Sequence, residues 1–215
     1  MKKIYFFILL LFSFSIIHAQ KSDPAAKAIL DAVSAKFKSF KSVQASFSYI
    51  VQNASGKTLS KQNGSLTMKG TKYQVNFSGQ QIFCDGKTVW NYDKSVNEVT
   101  VSNLDAAAGT ITPQKLFTNF YDKDFRYILN GEKTVGSKRI QEIELTPLDK
   151  SKPFFKVYLQ INKPAKVIYS TKVLEKAGNR YVYTVTSMKT NANISDALFV
   201  FNKNKYPGVE VVDLR

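Results

Sequence analysis

The apolar pattern of the chain changes period after its first predicted element. Asp23-Pro24 is a cap followed by a proline suited to a first helical turn. Ala25, Ala28, Ile29, Ala32, Val33, Lys36, Phe37 and Phe40 then recur at spacings of three and four, predicting an amphipathic helix that ends near Phe40. From there the period drops to two. Val43, Ala45, Phe47, Tyr49 and Val51 alternate with mostly polar neighbours, as a half-buried strand does, and the same alternation runs through Tyr73, Val75 and Phe77, through Phe155, Val157, Leu159 and Ile161, and through Tyr181, Tyr183 and Val185. Turn signals at residues 53–56, Asn63-Gly64, Asp85-Gly86, Asn130-Gly131, Lys163-Pro164 and residues 177–179 divide the chain into about ten or eleven short antiparallel strands. That number is enough for a sheet to curl into a barrel or part of one. One stretch, residues 103–125, interrupts the series. Thr112-Pro113 opens a helical turn there, and Leu116, Phe117 and Phe120 share its face, so this helix must pack on the sheet. The expectation is a single α+β domain.

The N-terminus changes the compartment. Lys2 and Lys3 precede an apolar run that ends near His18-Ala19-Gln20, shorter than the roughly 20 residues that span a bilayer, which predicts a signal peptide over residues 1–19 and a domain over residues 20–215. Of 31 Lys and Arg against 16 Asp and Glu, cleavage leaves 29 basic residues and a net charge of +13, and it removes the only histidine. Ser-His, Cys-His and His-metal chemistry are then excluded. Cys84 is solitary, so no intrachain disulfide forms, and its place between Phe83 and Asp85 suits a packed thiol better than a nucleophile. No cysteine follows the cleavage site, so the chain is expected to be soluble and periplasmic rather than lipid-anchored. Its lysines are scattered and its arginines are four, Arg126, Arg139, Arg180 and Arg215, which argues against nucleic acid and fits an acidic partner or anionic headgroups better. Glu142 and Glu144 share one strand face opposite Ile143 and Leu145, the pattern of a solvated outer face. Phosphate loops, zinc spacings and nucleophile elbows are missing, so no enzyme is expected.

Aromatic surface is what the chain has in abundance, with 16 Phe, 11 Tyr and one Trp. A curved sheet with one apolar face either fills its concavity or leaves room for an apolar ligand, and residue patterns alone leave both open.

The stretch "CDGKTVWNYD" with "NEVTV" after it resembles the "SDGKTLW-Y" hallmark of the periplasmic outer-membrane lipoprotein carrier family, LolA. The likeness covers nearly the whole mature chain. "VQASFSY" is similar to the family's first strand, "NGSLTMKGTKYQVNF" to its next hairpin, and "TPQKLF" to the helix after the hallmark. "IQEIELTP" and "VYLQIN" are similar to later strands, and "ISDALFVFNKNKYPGVEVVDL" to the family's ending. The resemblance implies a strongly curved antiparallel sheet forming an incomplete β-barrel, with helices covering the open side. It implies a carrier without cofactor, a monomer, that takes lipoprotein acyl chains from the inner-membrane ABC transporter LolCDE to an outer-membrane acceptor such as LolB. On that reading Phe47, Tyr49, Tyr73, Phe77, Trp90, Tyr92, Phe155, Val157, Leu159, Phe199 and Phe201 face the acyl chains. Ile29, Val33 and Phe37 with Leu116, Phe117 and Phe120 form the lid. Where family members carry an Arg-Pro pair that holds the lid, this chain has Lys69-Gly70-Thr71, so closure by that latch is not expected. A carrier of another exported lipid or pigment precursor and a lipoprotein-sensing module remain open as alternatives.

Overall fold

The structure, a computed structural model, describes residues 23–104 and 121–215. The expected signal peptide and the helix containing Leu116, Phe117 and Phe120 lie outside the described residues. Within them the elements are α1 (Pro24–Lys38), β1 (Val43–Gln52), β2 (Thr58–Lys69), β3 (Lys72–Phe77), β4 (Gln80–Cys84), β5 (Thr88–Asp93) and β6 (Glu98–Asn103). After residue 120 come α2 (Tyr121–Asp124), β7 (Phe125–Val135), β8 (Lys138–Pro147), β9 (Phe154–Asn162), β10 (Val167–Glu175), β11 (Arg180–Thr190) and β12 (Glu210–Asp213). Two short 3₁₀ turns, Asp196–Phe199 and Lys203–Lys205, precede β12.

All twelve described strands join one sheet in the order β12-β6-β5-β4-β3-β2-β1-β11-β10-β9-β8-β7. The first half meanders outward from β1 to β6 and the second half inward from β7 to β11, where β11 closes antiparallel on β1. Only the β12–β6 pair is parallel. A sheet of this width curls rather than staying flat, and register shifts at Ser46/Phe47, Leu129/Gly131 and Ile168/Ser170 add the local bends. The result is a large open curved sheet, an incomplete barrel, as expected.

Two of the predicted turns are not turns. Asn63-Gly64 lies inside β2, because the Phe47 ring crosses Gly64 so closely that a Cβ there would meet Phe47 Cζ at 2.4 Å. That glycine makes room for a ring. Asn130-Gly131 lies inside β7, where Gly131 takes φ +129° beside the register shift. The α1 stripe is also rotated from expectation: Ala26, Leu30 and Val33 are buried, while Ala25, Ala28 and Lys36 are exposed.

Candidate apolar binding site

Register sorts the sheet into two faces. Val43 pairs with Met68, Met68 with Tyr73, Tyr73 with Cys84 and Cys84 with Val89, so these side chains share a face, with Ala45, Leu66, Val75 and Ile82. Phe37 and Phe40 pack against this same set, which makes it the face under α1. Farther across the sheet, Ala26, Leu30 and Val33 of α1 pack on Tyr127, Ile143, Leu145, Val157, Leu159 and Ile161. The inner face is therefore apolar from β4 across β1 to β7. Outward-facing neighbours are polar: Ser48 lies beside Thr184, Thr184 beside Ser170, Ser170 beside Gln160 and Gln160 beside Glu142.

Polar groups at its N-terminal half hold α1 in place. Asp23 caps it by accepting the Ala25 N–H at 2.8 Å, and its own N–H donates to the Tyr127 carbonyl on β7 at 3.0 Å. About two turns on, the buried Tyr121 hydroxyl donates to Asp31 at 2.7 Å, and Lys27 bridges to Asp31 at 3.0 Å and to Asp122 at 3.6 Å. Tyr121 and then Lys27 hold the Asp31 carboxyl below its ordinary range, and burial pushes the Tyr121 phenol up. The C-terminal half of α1 is attached differently. Val33 and Phe37 roof a small apolar cavity of about 30 Å³ whose floor is Val43, Ala45, Leu66, Val185 and Met188 and whose wall includes Val167 and Ile168. This space is about one water's share of liquid volume, far too little for an acyl chain.

Toward the far end of β1 the inner face turns aromatic. Phe47 and Tyr49 meet Phe77 at ring-centroid distances of 5.9 and 4.9 Å, and Tyr49 stacks on Tyr181 at 5.9 Å and leans on Tyr183 at 4.8 Å. Burial pushes the Tyr49 phenol up to about 12. Tyr183 is 38 % exposed, so this end meets solvent. Aliphatic floor, phenyl ring and phenol succeed one another along the strands, the gradation of an apolar site with a wet mouth.

Of the residues expected to face the acyl chains, Phe47, Tyr49, Tyr73, Phe77, Val157 and Leu159 share this inner face. Ile29, Val33 and Phe37 of the expected lid also lie against it. Phe155 does not join them. It falls at the register shift between Leu174 and Glu175 and is 46 % exposed, while Phe154 packs inward and stacks on Phe125. Trp90 and Tyr92 sit on the opposite face, since Val89 between strands points to α1, and the C-terminal segment covers them with Phe201 and Tyr206. Phe199 is fully buried, and Phe201 packs on Phe83 of this outer face. Sequence patterning missed Ala26, Leu30, Leu66 and Met188. The first two were hidden by a run of alanines on every side of the helix.

Cys84 is fully buried in the inner cluster, where burial pushes its thiol up and away from reactivity. Glu142 and Glu144 are paired with Lys133 at 2.8 Å and Lys156 at 2.7 Å, structural ion pairs of the outer face. Lys69, at the place of the family's latch, donates to the Ile194 carbonyl at 3.1 Å and pairs with Asp196 at 2.9 Å, and Lys72 pairs with the same carboxylate at 2.6 Å. These lysines fasten the C-terminal segment to the β2–β3 hairpin. No helix among the described residues is long and apolar enough to cross a membrane.

Known proteins give the same outline. The chain is 30 % identical over 158 residues to an outer-membrane lipoprotein carrier protein of Cupriavidus taiwanensis, covering 73 % of this chain and 70 % of that one. It is 28 % identical over 223 residues to one of Legionella pneumophila, covering 99 % of each. Among solved structures, an uncharacterized conserved protein from Thermus thermophilus superposes with a TM-score of 0.61 at 16 % identity over 88 % of this chain and 99 % of that one, a likeness of fold. The model of the outer membrane lipoprotein carrier protein LolA matches residues 38–202, and with that match the chain belongs to the LolA family.

Proposed function

We propose that the protein is a soluble periplasmic carrier that holds lipoprotein acyl chains between α1 and the inner face of the sheet and shuttles them from the inner to the outer membrane. The observation that carries this reading is the nearly closed apolar cavity under Val33 and Phe37. A gap between a helix and an apolar sheet face is where an apolar ligand can enter by displacing the helix. When α1 lifts, apolar side chains of the inner face become available. Each acyl methylene taken from water contributes about 0.8 kcal/mol toward the cost of opening. No acid, base or nucleophile is needed, and the buried Cys84 thiol takes no part.

LolCDE is the expected donor and an acceptor such as LolB the expected destination. Transfer from inner-membrane vesicles tests the reading. With this protein as the sole soluble addition, triacylated lipoproteins should appear in the supernatant in a one-to-one complex. Binding to the vesicles without release of lipoprotein would instead make it a sensor, and recovery of free lipids alone would make it a carrier of other cargo.

A further inference from the structure

We infer that the free outer edge of β2 over residues 58–63 receives, as an added strand, the polypeptide that follows the acylated residue of the cargo. This rests on the carrier reading and specifies where the protein part of a lipoprotein goes.

β2 is twelve residues long, but β3 pairs with it only from Gly64 onward, ending at the Gly64–Phe77 pair. On one side Thr58 and residues 60–63 pair with β1, Leu59 falling at the register shift between Val51 and Gln52. On the other side their backbone groups have no hydrogen-bond partner among the described residues. Such a stretch of open ladder, regular over residues 60–63, is a template for another strand, and proteins normally blunt such edges. At the two ends of the sheet, Asp23 occupies β7 at Tyr127 and Leu129 by donating to the carbonyl of the first and taking the N–H of the second, and β12 is only four residues long. β11 also outruns β10, which pairs with it only up to Thr184, but the β2 segment is the one that starts beside the aromatic end of the inner face.

The position of this edge identifies its occupant. Gln62 stands opposite Tyr49 in the β1–β2 register, so the open segment begins beside the tyrosine mouth of the apolar face. The Gln62 side-chain oxygen is buried and has no hydrogen-bond partner among the described residues, an acceptor for a donor such as the amide N–H of an acylated residue. A groove of about 590 Å³ touches β2 at Asn63, Gly64 and Ser65, where the open edge ends, and is walled on its other side by Phe77, Gly79 and Lys94. Backbone pairing is indifferent to sequence, as it must be for a carrier whose cargoes share a lipid and differ in polypeptide. Alone it is weak. Held at the mouth by its acyl chains, the peptide is at high effective concentration, and weak pairing becomes occupancy.

The test compares synthetic probes on the unaltered protein: a diacylglyceryl-cysteine amide, the same group carrying a peptide of roughly ten residues, and two versions of that peptide N-methylated at alternate positions. The peptide-bearing probe should bind about tenfold more tightly than the amide. One N-methylation pattern should remove that gain and the other keep it, because only alternate N–H groups face β2. Hydrogen exchange should show alternate amides among residues 58–63 protected by the peptide-bearing probe alone. Equal affinity of all four probes would overturn the inference while leaving the carrier reading intact. Failure of every acyl probe to bind would remove both. Protection of residues 58–63 that grows with protein concentration and without probe would assign the edge to a second copy of the chain and overturn the inference equally.

Discussion

Asp23 accepts the backbone N–H of Leu129 with one carboxylate oxygen at 3.0 Å while the other oxygen caps α1. One side chain therefore starts α1 and occupies the edge strand β7. Both bonds need the ionised form, and the Leu129 N–H foremost, then that of Ala25, holds the Asp23 carboxyl below its usual 3.8. Asp31, bonded to Tyr121 and Lys27, is depressed in the same direction. A depressed carboxyl stabilises the fold above its unfolded value and loses that contribution as pH falls through its folded value.

The anchoring of α1 should consequently weaken below about pH 4. Uptake of a fluorescent fatty-acyl probe should accelerate over that range while β8 and β9 amides stay protected. Asp23→Asn should show the faster uptake already at pH 7 and flatten the pH dependence. Unchanged rates in the variant would mean that α1 does not gate the site.

Gly64 makes a second test. A Cβ there would lie 2.4 Å from Phe47 Cζ and 2.9 Å from the Asn76 backbone oxygen, of which only the ring can move. Gly64→Ala should cost about 1–3 kcal/mol in urea unfolding, and Phe47→Leu in the same chain should recover part of it. Additive effects of the two substitutions would show that ring and glycine do not meet.

Lys69 and Lys72 fasten the C-terminal segment to the β2–β3 hairpin through one carboxylate, that of Asp196. These lysines hold the Asp196 carboxyl down to about 2, Lys72 most, so the contact persists through most of the acid range. Asp196→Asn should make the segment around Ala197 more sensitive to protease and leave acyl-probe affinity unchanged, because Phe199 beneath it stays fully buried. A loss of acyl affinity would mean that this segment belongs to the lid.

How much of this was legible in the sequence follows from what repeats locally. Alternation placed Phe47, Tyr49, Tyr73 and Phe77 together correctly, because a strand's period of two survives any curvature. It failed at Phe155, where a register shift turns one residue outward and Phe154 inward. Asn63-Gly64 and Asn130-Gly131 read as turns because glycine's freedom is visible in a sequence, whereas the ring or bulge that needs it is not. The free edge of β2 was hidden for another reason. Strand length is local, but the early end of its neighbour is a property of pairing.

Trp90 supplies the last test, because it separates the two faces directly. The hallmark stretch invites a cavity role for the only tryptophan, yet Val89 beside it packs with Cys84 on the α1 side while Trp90 packs with Tyr92, Phe201 and Tyr206 on the other. A bromine quenches indole emission only near contact, so acyl chains brominated along their length report which aromatic they touch. Loading the protein with such chains should leave Trp90 emission within about a tenth of that with unbrominated chains, since the sheet itself, with side chains on both faces, stands between them. Moving the indole to the inner face by Phe47→Trp in a Trp90→Phe background should restore strong quenching. Asp196→Asn, which loosens the segment over Trp90, should shift its emission to the red with or without cargo. Strong quenching of Trp90 itself would place the acyl chains on the hallmark face and reverse the assignment of the two sides of the sheet.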